Sequence, residues 1–267
     1  PAARPESAAS RGAPVRAGPW LRLLAVAATA GVAAVVATGE WGLAHDVAAH
    51  VTVSLLAGVV LSACIAYPRR AALLGAAAAA FALFSVAGLA ALVGAPGGIH
   101  LVLGALTLAA AAVGTALAFR TGTPVAAGSW RDYVTLTKPR IMSLLLVTGA
   151  GGMFVGAQGA PSVSLFVLTM TGLALACGGA SALNHVLDRD IDALMGSRTQ
   201  ARPVASGRLS PAQALEFGLL LSALSFALLG STVNLLTATL ALVGNLFYVL
   251  VYTRWLKRST PQNIVIG

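Results

Sequence analysis

The sequence predicts an all-α fold, a polytopic transmembrane helix bundle of about eight spans in two four-helix units. Three observations predict it. Hydrophobic residues make up 58% of the chain and charged residues only 9%, at a mean hydropathy of +0.86, which excludes an ordinary soluble core. Apolar runs of about 20 residues, long enough to cross a hydrocarbon layer as helix, recur along the chain. Short strands of period-two alternation are absent from the sequence, so helices rather than a β-barrel satisfy the backbone in lipid.

Residues 1–18, rich in Ala, Pro, Arg and Ser, read as a disordered tail. They do not read as a signal peptide, because the first apolar run has span length and further spans follow. Spans near 20–38, 48–66, 71–93 and 98–119 form a first unit over 19–125. "RTGTPVAAGSW" (120–130) is a linker. Spans near 141–158, 162–183, 212–230 and 234–253 form a second unit over 126–267 with longer, more polar connections. There Gly149, Gly151, Gly152, Gly178 and Gly179 are expected to allow close helix approach. Cys64 and Cys177 lie in apolar spans without CxxC spacing and read as small packing residues. Pro stands at position 1 and the chain stops at Gly267 inside the apolar run "NIVIG", so both ends are expected to be cut.

The net charge of +9 is decided by where the 17 basic residues fall. Four lie between Arg4 and Arg22, two are Arg69 and Arg70, four run from Arg120 to Arg140, four from Arg189 to Arg208 and three from Arg254 to Arg258. The intervening stretches 39–47, 94–97, 159–161 and 231–233 have none. With spans alternating in direction, all basic segments share one face, which the positive-inside rule makes the cytoplasmic side of a bacterial-type plasma membrane. Both termini and any site among these loops are expected on that side. The charges are thereby explained as topology, and nucleic acid is not an expected partner.

"NHVLDRDIDALMGSRTQARPVASGRLSP" (184–211) gathers three of the chain's eight acids within five positions. Asn184, Asp188 and Asp192 are spaced four apart and on a helix share one face in successive turns. Their oxygens suit a hard ion such as Mg²⁺, which is commonly completed by water and substrate phosphates. Arg198, Arg202 and Arg208 follow directly, and guanidinium forks grip phosphate oxygens. "LTKPR" adds Lys138 and Arg140 on the same side, and "YTRWLKRSTPQN" adds Lys257 and Arg258. Two readings fit: a solvated helix end whose charges fall by chance every fourth residue, and a metal–diphosphate site. Ionisable residues at a membrane boundary are expensive unless they serve a cavity or partner, which favours the second. Each basic residue taken singly also fits a topology marker. Asp190 and Arg189 lie off the shared face and read as pairing with neighbours, and His185 as facing an adjacent helix.

This stretch resembles the first aspartate-rich motif of the UbiA superfamily of intramembrane prenyltransferases, and most closely its protoheme IX farnesyltransferase (heme O synthase) branch. "DYVTLTKPRIMSLLLVTGAGGMFVGAQG", "NHVLDRDIDALM…RT…RPVASGRLSP" and "YTRWLKRSTPQNIVIG" are three ordered matches over 132–267. The resemblance implies that Asn184, Asp188 and Asp192 hold Mg²⁺ with farnesyl diphosphate. Arg198, Arg202, Lys257 and Arg258 would neutralise the leaving group, with Lys138 and Tyr252 as nearby polar wall. It further implies heme B as acceptor, a vinyl group attacking the allylic carbon, water completing a hydroxyethylfarnesyl substituent, and the lipid bilayer sheltering the tail. NxxxDxxxD alone does not separate heme from quinone or chlorophyll prenyltransferases; the "LTKPR" and "LKRSTPQN" loops favour heme. Two departures stand out. Gly196 and Ser197 separate Met195 from Arg198 where one residue is expected. The family has nine spans and a second acidic motif, whereas no acid follows Glu216 here, so the domain is expected to be incomplete at its C-terminal end. Prenylation of a quinone precursor and a non-catalytic heme-binding respiratory assembly protein remain as alternatives.

In the first unit, His50 and His100 each open a span running inward from the outer boundary. Residues 20–120 resemble one four-helix half of heme A synthase, on the strength of these histidines and the small-residue helices. That implies a heme held by His50 and His100, with heme A synthase or oxidase assembly factors as partners. The plain alternative is two polar residues at helix ends. His45 and Asp46 read as a local pair or as solvated.

Overall fold

The computed structural model describes residues 17–38, 43–68, 70–93, 97–119 and 128–266, so most of the expected tail and linker lie outside the described residues. Among the described residues every regular element is helical. The first four helices are α1 (Pro19–Thr38), α2 (Leu43–Ala66), α3 (Ala71–Leu92) and α4 (Gly97–Phe119). They are followed by α5 (Trp130–Leu136), α6 (Pro139–Gly156), α7 (Val163–Leu187), α8 (Arg189–Leu194), α9 (Ser197–Gln200), α10 (Pro211–Thr232) and α11 (Leu235–Leu246). A π-helical segment (Phe247–Leu256), α12 (Lys257–Ser259) and α13 (Asn263–Ile266) complete the order. Eight of the described helices are long and apolar enough to cross a membrane, the last running continuously over Leu235–Ser259, and the chain is an integral membrane protein.

Helix starts have local causes. Ser129 and Asp132 form a reciprocal capping box on α5, Ser210 and Gln213 another on α10, and Pro211 occupies the first turn of α10. Ser162 accepts from the Leu165 N–H of α7, and Asn234 from the Thr237 N–H of α11. These polar side chains satisfy amides that lipid could not.

α1 packs on α2 and α4, and α3 on α4, so the first four helices close into a bundle. α10 packs along both α7 and α2. Leu220 of α10 therefore sits in the same apolar cluster as Leu21, Leu24, Leu56 and Leu73. The α7–α10 approach depends on Gly179: a Cβ there would lie 2.8 Å from the Gly218 carbonyl oxygen and 3.0 Å from the Ser222 nitrogen. Gly178 and Gly149 also face neighbouring side chains, at 3.3 and 3.1 Å. Among the described residues Gly151 and Gly152 meet nothing within 4 Å, so there they do not serve helix approach as expected, and α6 buries no residue.

One carboxylate joins the two halves of the chain. Glu216 of α10 is fully buried and accepts from the Leu21 N–H at 3.0 Å, within the first turn of α1. It also accepts from the Tyr67 hydroxyl, which in turn accepts from the Gly18 N–H at 2.7 Å. A helix N-terminus presents unpaired N–H groups and partial positive charge, and an acid from another helix answers both. Burial, and then the neighbouring Glu216, push the Tyr67 hydroxyl well above its ordinary range, so it stays protonated and donates. Trp20, Tyr133 and Phe217 close around this junction with ring centroids 5.0–5.2 Å apart.

Candidate functional site: an acid cradle at the end of α7

The site grows out of the C-terminal end of α7. Asp188 is the joint between α7 and α8, with α-region dihedrals of −86° and −1°. Hydrogen bonding continues through the joint: the Asp188 N–H donates to the Asn184 carbonyl and the Asp192 N–H to the Asp188 carbonyl, both at 2.8 Å. The four-residue repeat therefore survives, and Asn184, Asp188 and Asp192 stay on one face. All three are buried, at 2%, 0% and 1% exposure, where a bare carboxylate is costly unless paired.

Each of the three has its own cation. The Lys138 ammonium donates to Asn184 Oδ1 at 2.6 Å, Lys257 to Asp188 Oδ2 at 2.5 Å, and Arg202 Nη1 to Asp192 Oδ1 at 2.6 Å. The Asn184 amide nitrogen donates to Asp188 Oδ2 at 2.8 Å and to Thr253 Oγ1 at 3.1 Å. Two carboxylates thus face three cations, a local surplus of positive charge suited to an anionic ligand. Lys257 and Arg202 keep 27% and 29% of their side chains exposed, so an arriving ligand meets the cations before the acids.

Two elements bring remote residues here. Lys138 sits at φ 49°, ψ 65°, directly before Pro139. A residue preceding proline favours extended backbone, so this left-handed turn is strained by about 1–3 kcal/mol. It aims the ammonium across at Asn184. Burial first, then repulsion from Arg202, lower the Lys138 pKa from 10.5 to about 8, against the opposing pull of Asp188. The neutral amine is the nucleophile, so acylation of Lys138 is expected to rise steeply as pH passes through about 8, read by mass spectrometry of the labelled peptide. A rise delayed to the ordinary lysine range would contradict this environment. The π-helical segment supplies the other face: Thr253, fully buried, donates to the Tyr248 carbonyl five residues back at 2.9 Å while accepting from Asn184.

Of the other expected residues, Arg258 is committed elsewhere. It grips both oxygens of Asp190 at 2.9 and 2.8 Å and donates to the Leu187 carbonyl at 2.6 Å. This fork holds the Asp190 carboxyl well below its usual range and fastens the segment bearing Lys257 to the acidic loop. The pair is surface-exposed and contributes little stability. Asp190→Ala is expected to leave the melting temperature nearly unchanged but to weaken diphosphate binding by about threefold, by loosening Lys257; a calorimetric titration checks both. Arg189 donates to the Val186 carbonyl, off the shared face as expected. Arg208 binds Asp132 and the Ala201 carbonyl, anchoring the loop to α5 rather than entering the cradle. Arg198, in α9, is exposed and the structure does not bring it to the acids, in keeping with the extra residue before it. Tyr252 stacks on Tyr248 at 5.4 Å. His50 is exposed near the start of α2 with Nδ1 on the Asp46 carbonyl at 2.7 Å, and the His100 side chain lies outside the described residues. Sequence reasoning missed Thr253, although its spacing of four from Lys257 was a readable signal.

No group of three or more His, Cys, Asp or Glu suited to a metal occurs among the described residues. The donor set present is two carboxylates and an amide, and it fits an ion that draws its remaining ligands from water and phosphate. Asp188 Oδ1 and Asp192 Oδ2 are buried without a hydrogen-bond partner among the described residues, one free oxygen on each acid.

The chain matches the UbiA prenyltransferase family over residues 144–267. It is 64% identical over 137 residues to the protoheme IX farnesyltransferase of Symbiobacterium thermophilum, covering 51% of this chain and 45% of that protein. It is 54% identical over 138 residues to that of Trichodesmium erythraeum, covering 52% and 42%, and 50% identical over 139 residues to protoheme IX farnesyltransferase 1 of Pseudomonas putida, covering 52% and 46%. The chain thus spans less than half the length of these curated relatives. No solved structure matches it. The acids of the cradle, Asp188 and Asp192, lie within residues 144–267, the stretch over which the chain is similar to the UbiA prenyltransferase family.

Proposed function

We propose that this chain carries the donor site of a farnesyltransferase that moves the farnesyl group of farnesyl diphosphate to a vinyl group of heme B, forming heme O. The observation that carries the reading is the pair of buried acids, each with one oxygen bound to a cation and the other free. The names of the relatives supply the acceptor.

Asp188 Oδ1, Asp192 Oδ2 and Asn184 would hold Mg²⁺, which when bound supplies Lewis-acid stabilisation of the departing diphosphate. Lys257 and Arg202 exchange their acid partners, and Lys138 its Asn184 amide oxygen, for phosphoryl oxygens and neutralise the charge that develops as the allylic C–O bond breaks. The bonding pair leaves with the diphosphate. The vinyl π electrons close the new C–C bond, and water adds to the resulting cation with loss of a proton. The neighbouring apolar helices exclude bulk water and house the tail. By the distribution of basic residues the cradle opens on the cytoplasmic side. The test is incubation of the chain in bilayer nanodiscs with heme B and farnesyl diphosphate, with and without Mg²⁺. Heme O formed only with Mg²⁺ supports the reading; failure to bind farnesyl diphosphate under either condition overturns it.

A further inference from the structure

His185 is a buried polar residue beside the acids that the proposed donor site leaves without a task. It is 2% exposed, and neither ring nitrogen has a hydrogen-bond partner among the described residues. An unpartnered buried polar atom is costly, and here both nitrogens of one imidazole are left so. Its expected packing against an adjacent helix gives neither nitrogen a hydrogen-bond partner among the described residues. His185 stands three residues before Asp188 and seven before Asp192, spacings that share a helix face. Lys138, Arg202 and Lys257, the cations on the cradle, are also the charges that act on His185.

Depth along the helix indicates what the imidazole meets. At about 1.5 Å per residue, its backbone lies roughly 4–5 Å deeper in the membrane than that of Asp188 and about 10 Å deeper than that of Asp192. A prenyl diphosphate anchored by its phosphates at the acids places its allylic carbon towards that depth. The group beside His185 is then the acceptor. A metalloporphyrin with carboxylate side chains suits the surroundings twice: its carboxylates answer the surplus cations, and its iron takes a nitrogen lone pair.

We infer that His185 recognises the acceptor, one imidazole nitrogen ligating the heme iron while the donor diphosphate occupies Asp188 and Asp192. This rests on the proposed heme farnesylation. The ligation fixes the macrocycle against α7 and brings its edge, with the vinyl group, to the allylic carbon.

The full chain in nanodiscs is titrated with heme B and, separately, with iron-free protoporphyrin IX, comparing wild type with His185→Ala by absorption and electron paramagnetic resonance spectra. His185→Ala is expected to lose a nitrogen-ligated heme signal and to bind heme about tenfold more weakly or worse. Protoporphyrin IX affinity is expected to stay within about twofold, as is that for magnesium farnesyl diphosphate, which also reports a folded cradle. Added imidazole restores the lost signal. Any heme bound by other residues persists in the variant and is subtracted. An unchanged heme spectrum and stoichiometry in His185→Ala overturns the inference while leaving heme farnesylation intact. Equal loss of heme, protoporphyrin and diphosphate binding also overturns it, by assigning His185 a packing role. If the wild type itself fails to bind farnesyl diphosphate, the proposed function falls first.

Discussion

Changing Asp188 and Asp192 together to Asn is expected to weaken binding of magnesium farnesyl diphosphate by about 100-fold or more, equivalent to roughly 2.8 kcal/mol. Each acid contributes a free buried oxygen, and Asn replaces that anionic oxygen with a weaker or absent ligand at nearly constant volume. The fold tolerates the change, because Lys257 and Arg202 are partly exposed and can turn to water when their acids lose charge. Loss of binding with an unchanged melting temperature therefore reports the site and not misfolding. The single variants divide the effect unequally. Asp188 also accepts from Asn184, so Asp188→Asn disturbs two members of the cradle, whereas Asp192→Asn frees only Arg202. Undiminished affinity in the double variant would remove the metal-binding role from both acids.

Glu216→Leu is expected to destabilise the chain by about 2–4 kcal/mol. It strips the buried Leu21 N–H and the Tyr67 hydroxyl of their acceptor at the first turn of α1. Glu216→Gln keeps an acceptor oxygen in nearly the same volume and is expected to cost less than half as much. Tyr67→Phe, which removes one donor and keeps the ring, is expected to fall near 1 kcal/mol. Thermal unfolding in a single detergent, followed by circular dichroism, ranks the three. Equal midpoints for Glu216→Leu and wild type would show that the tie between α1 and α10 carries no stability.

How much of this could be read from sequence follows from the range of each interaction. The expected span 71–93 became α3 over Ala71–Leu92, and 212–230 became α10 over Pro211–Thr232, because hydropathy and capping are local signals. The alignment of Asn184, Asp188 and Asp192 was equally legible, since a repeat of four needs only a continuing helix. What each cation binds was not. Lys138 reaches Asn184 across 46 positions and Lys257 reaches Asp188 across 69, and such pairings depend on how α6, α7 and the π-helical segment pack. Arg258 looked equivalent to Lys257 in sequence, yet one residue along the helix turns it to Asp190. Glu216 offered a signal that went unused: a lone acid near the start of an apolar span must have a partner, and its partners lie in the opposite half of the chain.

The central claim is that Asp188 and Asp192 hold a divalent ion together with a prenyl diphosphate, and counting bound Mn²⁺ by electron paramagnetic resonance tests it most directly. With farnesyl diphosphate present, the wild-type chain is predicted to retain tightly bound Mn²⁺ that the Asp188→Asn, Asp192→Asn variant lacks, and without the diphosphate both are predicted to bind it weakly. Tight Mn²⁺ binding that is equal in the two proteins, or indifferent to the diphosphate, would contradict the claim.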